Sequence, residues 1–125
     1  MPITGKITRG SVIWLKLHPQ AKNEQAGYRP AIVLSDGLID PENSSFALIA
    51  SVTNTARDYP FEVPIPTGIL ISGSRVAQSQ LTGVVLTDQV KSLDLSARHA
   101  EVIEQIDPKT AFFLSIITNV RSILA

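Results

Sequence analysis

Asn23-Glu24-Gln25-Ala26-Gly27-Tyr28-Arg29-Pro30 runs straight into Ala31-Ile32-Val33-Leu34-Ser35. A polar, Gly-containing loop ends in an Arg locked against a Pro, and an apolar strand follows at once. Proline fixes its own φ and pushes the residue before it into extended geometry. The pattern therefore holds Arg29 at the rim of a sheet. A permanently charged guanidinium with five donors suits an anion such as phosphate at that position. The same Arg is equally compatible with a solvated surface residue, the usual fate of Arg.

Outward from this run the chain reads as strands. Ser11 to Leu17 is rich in β-branched and aromatic residues and forms a first strand. Arg29 to Asp36 is the second and Phe46 to Thr53 the third, joined by a turn of Asp, Pro, Glu, Asn and Ser. Tyr59-Pro60-Phe61-Glu62-Val63-Pro64-Ile65 alternates with period two, but its prolines demand an edge strand or bulges. Thr67 to Thr82 reads as an extended, twisted hairpin. Gly83 to Asp94 is a long strand, Ser96 to His99 a helical turn, and Glu101 to Ile106 a last short strand. The end is a helix, with Asp107 as N-cap and Pro108 at the first helical position. Phe112, Phe113, Ile116, Ile117, Val120, Ile123 and Leu124 recur at helical spacing and need a sheet to pack on. The expected fold is mainly β: a compact, mostly antiparallel, barrel-like sheet with a C-terminal helix, in one domain over 1–125.

The charge balance narrows the partners. Lys plus Arg and Asp plus Glu are 11 each, so formal net charge is zero. That argues against a generic polyanion binder, whose affinity rests on many phosphate contacts. The distribution is less even. Residues 1–35 carry Lys6, Arg9, Lys16, Lys22 and Arg29 against Glu24 alone, a net of +4, and the remainder is −4. A basic working face on an acidic body is the implied arrangement. Cys is absent, so neither a disulfide framework nor a thiolate metal site is available. No run approaches the roughly 20 apolar residues of a membrane span. The chain reads as soluble and cytoplasmic, with no membrane partner.

Three stretches carry the chemistry: Glu24 to Pro30; Thr53 followed by Asn54-Thr55-Ala56-Arg57-Asp58-Tyr59-Pro60-Phe61-Glu62-Val63; and Gly83 to Asp94. In order and spacing they resemble the MazF/PemK family of toxin endoribonucleases from type II toxin–antitoxin systems. The opening Arg9-Gly10-Ser11-Val12-Ile13-Trp14 and the Pro19 turn are similar too, so the resemblance runs from about Arg9 to Leu124. It implies an SH3-like, plasmid-maintenance-toxin antiparallel barrel, a homodimer, and an acidic antitoxin protein that binds DNA together with the toxin. It also implies an mRNA interferase: sequence-specific cleavage of single-stranded RNA without a metal or other cofactor, leaving a 2′,3′-cyclic phosphate and arresting translation and growth.

Carried over position by position, the family's catalytic Arg and Thr fall on Arg29 and Thr53, and its acidic loop residue on Glu24. Lys22, Gln25, Tyr28, Asn54, Arg57, Gln89 and Lys91 are the expected RNA contacts. Each residue alone has a plainer reading. Thr53 is an ordinary strand residue by propensity, and Glu24 a solvated loop charge. His18 and His99 have a suitable pKa range but belong to no cluster. Trp14 and Tyr59 read as packing. Asp88, Gln89, Lys91 and Ser92 line a dimer or RNA groove, or simply finish a strand. Ala50-Ser51-Val52-Thr53 departs from the Cys-Pro pair of many relatives, and Thr67 to Thr82 is longer than in compact ones, with Arg75 its single charge. Two alternatives stay open. One is a gyrase-binding toxin of the same fold, for which the resemblance implies an aromatic-bearing tail that Arg121-Ser122-Ile123-Leu124-Ala125 lacks. The other is a catalytically inactive antitoxin-binding member.

Overall fold

The computed structural model describes residues 3–17, 27–74 and 76–125. Six strands form one sheet: β1 (Ser11–Lys16), β2 (Tyr28–Val33), β3 (Phe46–Thr53), β4 (Glu62–Pro64), β5 (Val84–Asp94) and β6 (Glu101–Gln105). Their order across the sheet is β4-β5-β3-β2-β1-β6, with every neighbouring pair antiparallel. A helix, α1 (Ala111–Leu124), follows. The mainly β fold with a terminal helix is as expected. The sheet differs from the expected barrel in one respect: no described pairing joins β4 to β6, so the ring stays open.

The central strands are apolar on consecutive residues because both faces of the sheet are covered. Val12, Trp14, Ile32, Ala50 and Val52 face a core completed by Phe113 and Ile116 of α1. Ile13, Leu15, Ala31, Val33, Ala47 and Ile49 face a second core closed by Ile7, Leu95 and Ala100. Period-two alternation sorts each strand between these cores.

Both edges are blunt. β4 is three residues long and ends in Pro64, as its proline content predicted. Beyond β6, Thr4 donates its N–H to the Ala100 carbonyl (2.9 Å) and accepts from the Val102 N–H (2.9 Å), capping that edge.

The helix begins later than its sequence suggests. Asp107 does not cap α1. Its carboxylate accepts from the Lys109 N–H (2.9 Å) and its carbonyl from the Thr110 N–H (3.1 Å), closing a separate turn. Thr110 is the N-cap: its backbone is extended, and its hydroxyl accepts from the Phe113 N–H (3.3 Å). Two candidate caps three residues apart compete, and the one that lets Phe113 reach the core wins. The apolar stripe also ends early, because Ile123 and Leu124 are exposed. No helix among the described residues is long and apolar enough to cross a membrane.

Candidate active site

Arg29 lies on β2 opposite Leu15 of β1, half-buried, with buried Tyr28 before it. The chain enters β2 through Gly27, whose φ of 81° is a conformation glycine adopts without strain and whose carbonyl accepts from the Leu17 N–H (3.1 Å). Thr53 is the last residue of β3. The two residues come from strands adjacent in the sheet and line one cleft of about 220 Å³, together with Trp14, Tyr28, Asn54 and Thr82.

Local hydrogen bonds determine what Thr53 and Asn54 can offer. The Thr53 hydroxyl oxygen accepts from the Thr55 N–H (3.2 Å), which leaves its proton to donate. The Asn54 side-chain oxygen accepts from the Thr82 hydroxyl (2.8 Å), which leaves its amide nitrogen as the donor. The site thus presents donors: a guanidinium, a hydroxyl and an amide. That set matches phosphoryl oxygens, which only accept. Gly83 makes this arrangement possible. A Cβ there would lie 2.1 Å from the Thr53 carbonyl oxygen, and its φ is +105°. Only a residue without a side chain lets β5 start this close to Thr53.

On its other side Thr53 borders a second cavity, of about 460 Å³, shared with Arg57, Tyr59, Glu62, Asp88 and Gln89. Glu62 shapes the loop in front of it. Its carboxylate accepts from the Arg57 N–H (3.1 Å to each oxygen) and the Tyr59 N–H (3.4 Å). Asp58 between them takes φ 54°, a left-handed conformation that Asp tolerates better than most residues. Asp88 and Gln89 reach the cavity because β5 breaks its register. Ala50 pairs with Val90 but Val52 pairs with Val85, so Leu86, Thr87, Asp88 and Gln89 together face Ser51 alone. The resulting corner exposes Asp88 and Gln89 consecutively, against the alternation of a regular strand. Thr87 fixes it, donating its N–H (3.1 Å) and its hydroxyl to the Phe61 carbonyl. Ser51, opposite the gap, keeps a buried hydroxyl without a partner among the described residues.

The 67–82 stretch supplies the remaining wall of the first cleft through Gln78, Leu81 and Thr82. The reading as a hairpin holds in a reduced form: Leu70 and Gln80 make a single antiparallel bridge, flanked by Ile71 N–H to Ser79 carbonyl (3.0 Å) and Leu81 N–H to Ile69 carbonyl (2.8 Å). A buried carboxylate on β6 tethers its tip. Glu101 accepts from the Ser74 N–H (2.9 Å) and the Ser74 hydroxyl (3.0 Å), with Gly73 packed against it. Gln78, Thr82 and Glu101 were not singled out by the sequence. Their signal is long-range, and no local pattern carries it. Trp14 is buried as expected, yet it also lines the cleft, with its indole nitrogen unpartnered among the described residues.

Of the expected RNA contacts, Tyr28 and Asn54 line the first cleft, and Arg57 and Gln89 the second cavity. Lys91 is exposed on β5 beyond the corner and lines neither. Glu24, Gln25 and Lys22 lie outside the described residues, as does His18. His99 is exposed in the turn between β5 and β6, beside a different cavity. Among the described residues no group of three or more His, Asp or Glu is placed to hold a metal ion.

The second cavity also holds the clearest electrostatic perturbation. The Asp88 carboxylate, by hydrogen bonding to the phenol and by its negative charge, raises the Tyr59 pKa above its ordinary value.

Comparison with known proteins gives this geometry a lineage. Residues 8–114 match the family described as the PemK-like, MazF-like toxin of type II toxin–antitoxin systems. The chain is 33% identical over 111 residues to the endoribonuclease toxin MazF of Escherichia coli K12, covering 89% of each. It superposes on the crystal structure of MazF from Deinococcus radiodurans with a TM-score of 0.74 at 31% identity, over 96% of this chain and 97% of that one. The MazE–MazF complex from the same organism gives 0.74 at 26% identity, over 97% of each chain. A donor-rich cleft between neighbouring strands, on a sheet of this topology, sits in a chain that belongs to the PemK-like, MazF-like toxins of type II toxin–antitoxin systems.

Proposed function

We propose that this toxin-family chain is an endoribonuclease of single-stranded RNA in which Arg29 and Thr53 are the catalytic pair. The observation that carries the assignment is their meeting in one cleft from adjacent strands. RNA supplies its own nucleophile. The 2′-oxygen forms a bond to the neighbouring phosphorus, the bond to the 5′-oxygen breaks, and a 2′,3′-cyclic phosphate and a 5′-hydroxyl result. The protein must orient that attack, stabilise charge gathering on the phosphoryl oxygens, and move two protons. Arg29 clamps the phosphoryl group with parallel donors, and Thr53 donates its free proton to the same group. Losing one such preorganised donor costs roughly 3–4 kcal/mol of barrier. A guanidinium is permanently charged and a poor base, so the role of Arg29 is electrostatic. Glu24 or a substrate-bound water accepts the 2′-hydroxyl proton, and water returns a proton to the departing 5′-oxygen.

Kinship extends the reading to partners. The Deinococcus relative was crystallised with MazE, which supports an antitoxin for this chain as well. We assign it an acidic segment that covers the Arg29 cleft and excludes RNA. A homodimer, a cytoplasmic site of action, sequence-specific cleavage of mRNA, and a single toxin domain over 1–125 complete the proposal. The relatives' endoribonuclease activity favours this reading over a gyrase-binding one.

The experiment is digestion of single-stranded RNA in EDTA followed by end-mapping. Cyclic phosphate ends are expected. Arg29→Ala and Thr53→Ala should each lose at least about a hundredfold in rate while remaining folded. Intact RNA, with DNA supercoiling arrested instead, would replace the ribonuclease with the gyrase reading.

A further inference from the structure

The second cavity is open to solvent and joined to the first through Thr53, which lines both. A nucleotide whose phosphate sits at Arg29 and Thr53 therefore has a neighbouring base within reach of the β5 corner. At about 460 Å³ the cavity falls in the range of small-molecule sites, ~300–1,000 Å³. Its walls suit a base. Tyr59 is 45% exposed, and the Phe61 ring lies behind it at 5.8 Å and 52°. An exposed, buttressed aromatic ring is what an unpaired base stacks on.

The polar groups then decide which base fits. The Glu62 carboxylate already accepts from the N–H groups of Arg57 and Tyr59. Asp88 is exposed at the corner and borders the cavity, and a carboxylate offers about four lone-pair sites. Asp88 repels a phosphate, so it is not there for the backbone. It needs donors. Adenine, cytosine and guanine each carry an exocyclic amine. Uracil carries none, and presents two carbonyl oxygens around its single ring N–H.

We propose that the cavity at the β5 corner is a nucleobase subsite flanking the reactive phosphate, in which Asp88 accepts from an exocyclic amine and so excludes uracil. The inference rests on the ribonuclease reading above and adds to it the residue that selects the neighbouring base. The register break is what makes the subsite. In a regular strand Asp88 and Gln89 would point to opposite faces. Here both border the cavity.

The test uses short single-stranded RNAs made uncleavable by a 2′-deoxy sugar at the reactive position, with the bases on either side of it varied in turn. Affinity is read by fluorescence anisotropy. At one of the two flanking positions, uracil should bind about tenfold more weakly than adenine, a difference of ~1.4 kcal/mol. Purine riboside, which is adenosine without its amine, should lose the same factor. Asp88→Asn keeps the shape of the side chain and adds a donor. It should erase the uracil penalty while retaining the melting temperature. Arg29→Ala should weaken all the RNAs alike and leave the ratio intact. An Asp88→Asn protein that still rejects uracil tenfold, or a wild type indifferent to the amine, overturns the subsite. Base-selective binding without cleavage of any natural RNA would keep the subsite and sink the ribonuclease. Cleavage with no base preference traceable to Asp88 would do the reverse.

Discussion

β3 meets β5 twice, and the two meetings differ. From Phe46 to Ala50 the ladder with Val90 to Asp94 is unbroken, and this half of β3 contributes buried Ala47, Ile49 and Ala50 to the two cores. At Val52 and Thr53 the ladder resumes with Val85 and Val84, after four residues of β5 have bowed away from Ser51. Every candidate catalytic or binding group on these two strands except Lys91 lies at this second meeting. Regular pairing fills the cores, and the interruption turns polar residues towards the cavity, because a bulge re-aims side chains that a ladder would bury or alternate. The unsatisfied Ser51 hydroxyl is the cost of the gap.

A double dissociation would break or uphold this contrast. Ile49→Ala removes a side chain with no exposure from the regular half. It should cost about 2–5 kcal/mol in urea unfolding, yet leave RNA cleavage per folded molecule within about twofold. Thr53→Ala, half-buried in the interrupted half, should do the opposite. Substantial loss of specific activity in Ile49→Ala would show that the two halves are not separable.

Glycines sharpen the same comparison. Gly83→Ala drives a Cβ to 2.1 Å from the Thr53 carbonyl, whereas a Cβ at Gly68, with a similar φ of +93°, meets nothing within 4 Å. Gly68→Ala should cost only the backbone strain, about 1 kcal/mol. Gly83→Ala adds the clash, and should cost about 2–4 kcal/mol together with most of the activity. Equal effects of the two in thermal melts and cleavage assays would remove the special status of the Thr53–Gly83 approach.

The tether on β6 comes next. Glu101→Ala leaves the Ser74 N–H without its acceptor and frees the segment that carries Gln78 and Thr82. Stability should fall by about 1–3 kcal/mol. KM for RNA should rise several-fold with kcat nearly unchanged, since the segment walls the cleft and carries neither Arg29 nor Thr53. Glu101→Gln retains an acceptor oxygen and should recover part of the loss. A fall in kcat with constant KM would place Glu101 nearer the chemistry than its position indicates.

The smallest effect is a titration. Asp88 favours the neutral Tyr59 phenol, so the phenol keeps its proton at neutral pH. It is lost only above pH ~10, as the phenol ionises through its raised pKa. Stability from this pair therefore declines with rising pH and is insensitive below it. Asp88→Asn should return one of the two tyrosine transitions, followed by ultraviolet absorbance, towards the ordinary value. No change would separate the two side chains.

Local signals account for what could be read in advance. Phe46 to Thr53 was legible to the residue because β-branched and small apolar side chains run unbroken between polar loops. The Pro-bearing edge strand was legible from its missing donors. The corner in β5 was not, since Leu86-Thr87-Asp88-Gln89 reads as continuing strand. What bends it is the Phe61 carbonyl, 26 residues away. The start of α1 was ambiguous because Asp107 and Thr110 are both good caps, and tertiary packing of Phe113 chose between them. Arg29 stands out from its place between a polar loop and Pro30, whereas Thr53 becomes a candidate only through family likeness. Their cleft-mates Gln78 and Thr82 come from a segment whose position depends on Glu101, and no spacing rule reaches that far.

The blunted margins of the sheet have a consequence for molecular recognition. A three-residue border ending in proline, and an opposite border already occupied by Thr4, leave little backbone for an incoming peptide to zip onto. An inhibitor of this protein must therefore bind through side chains, filling hollows and matching charge. The same shielding protects the molecule from stacking into fibrils with its own copies.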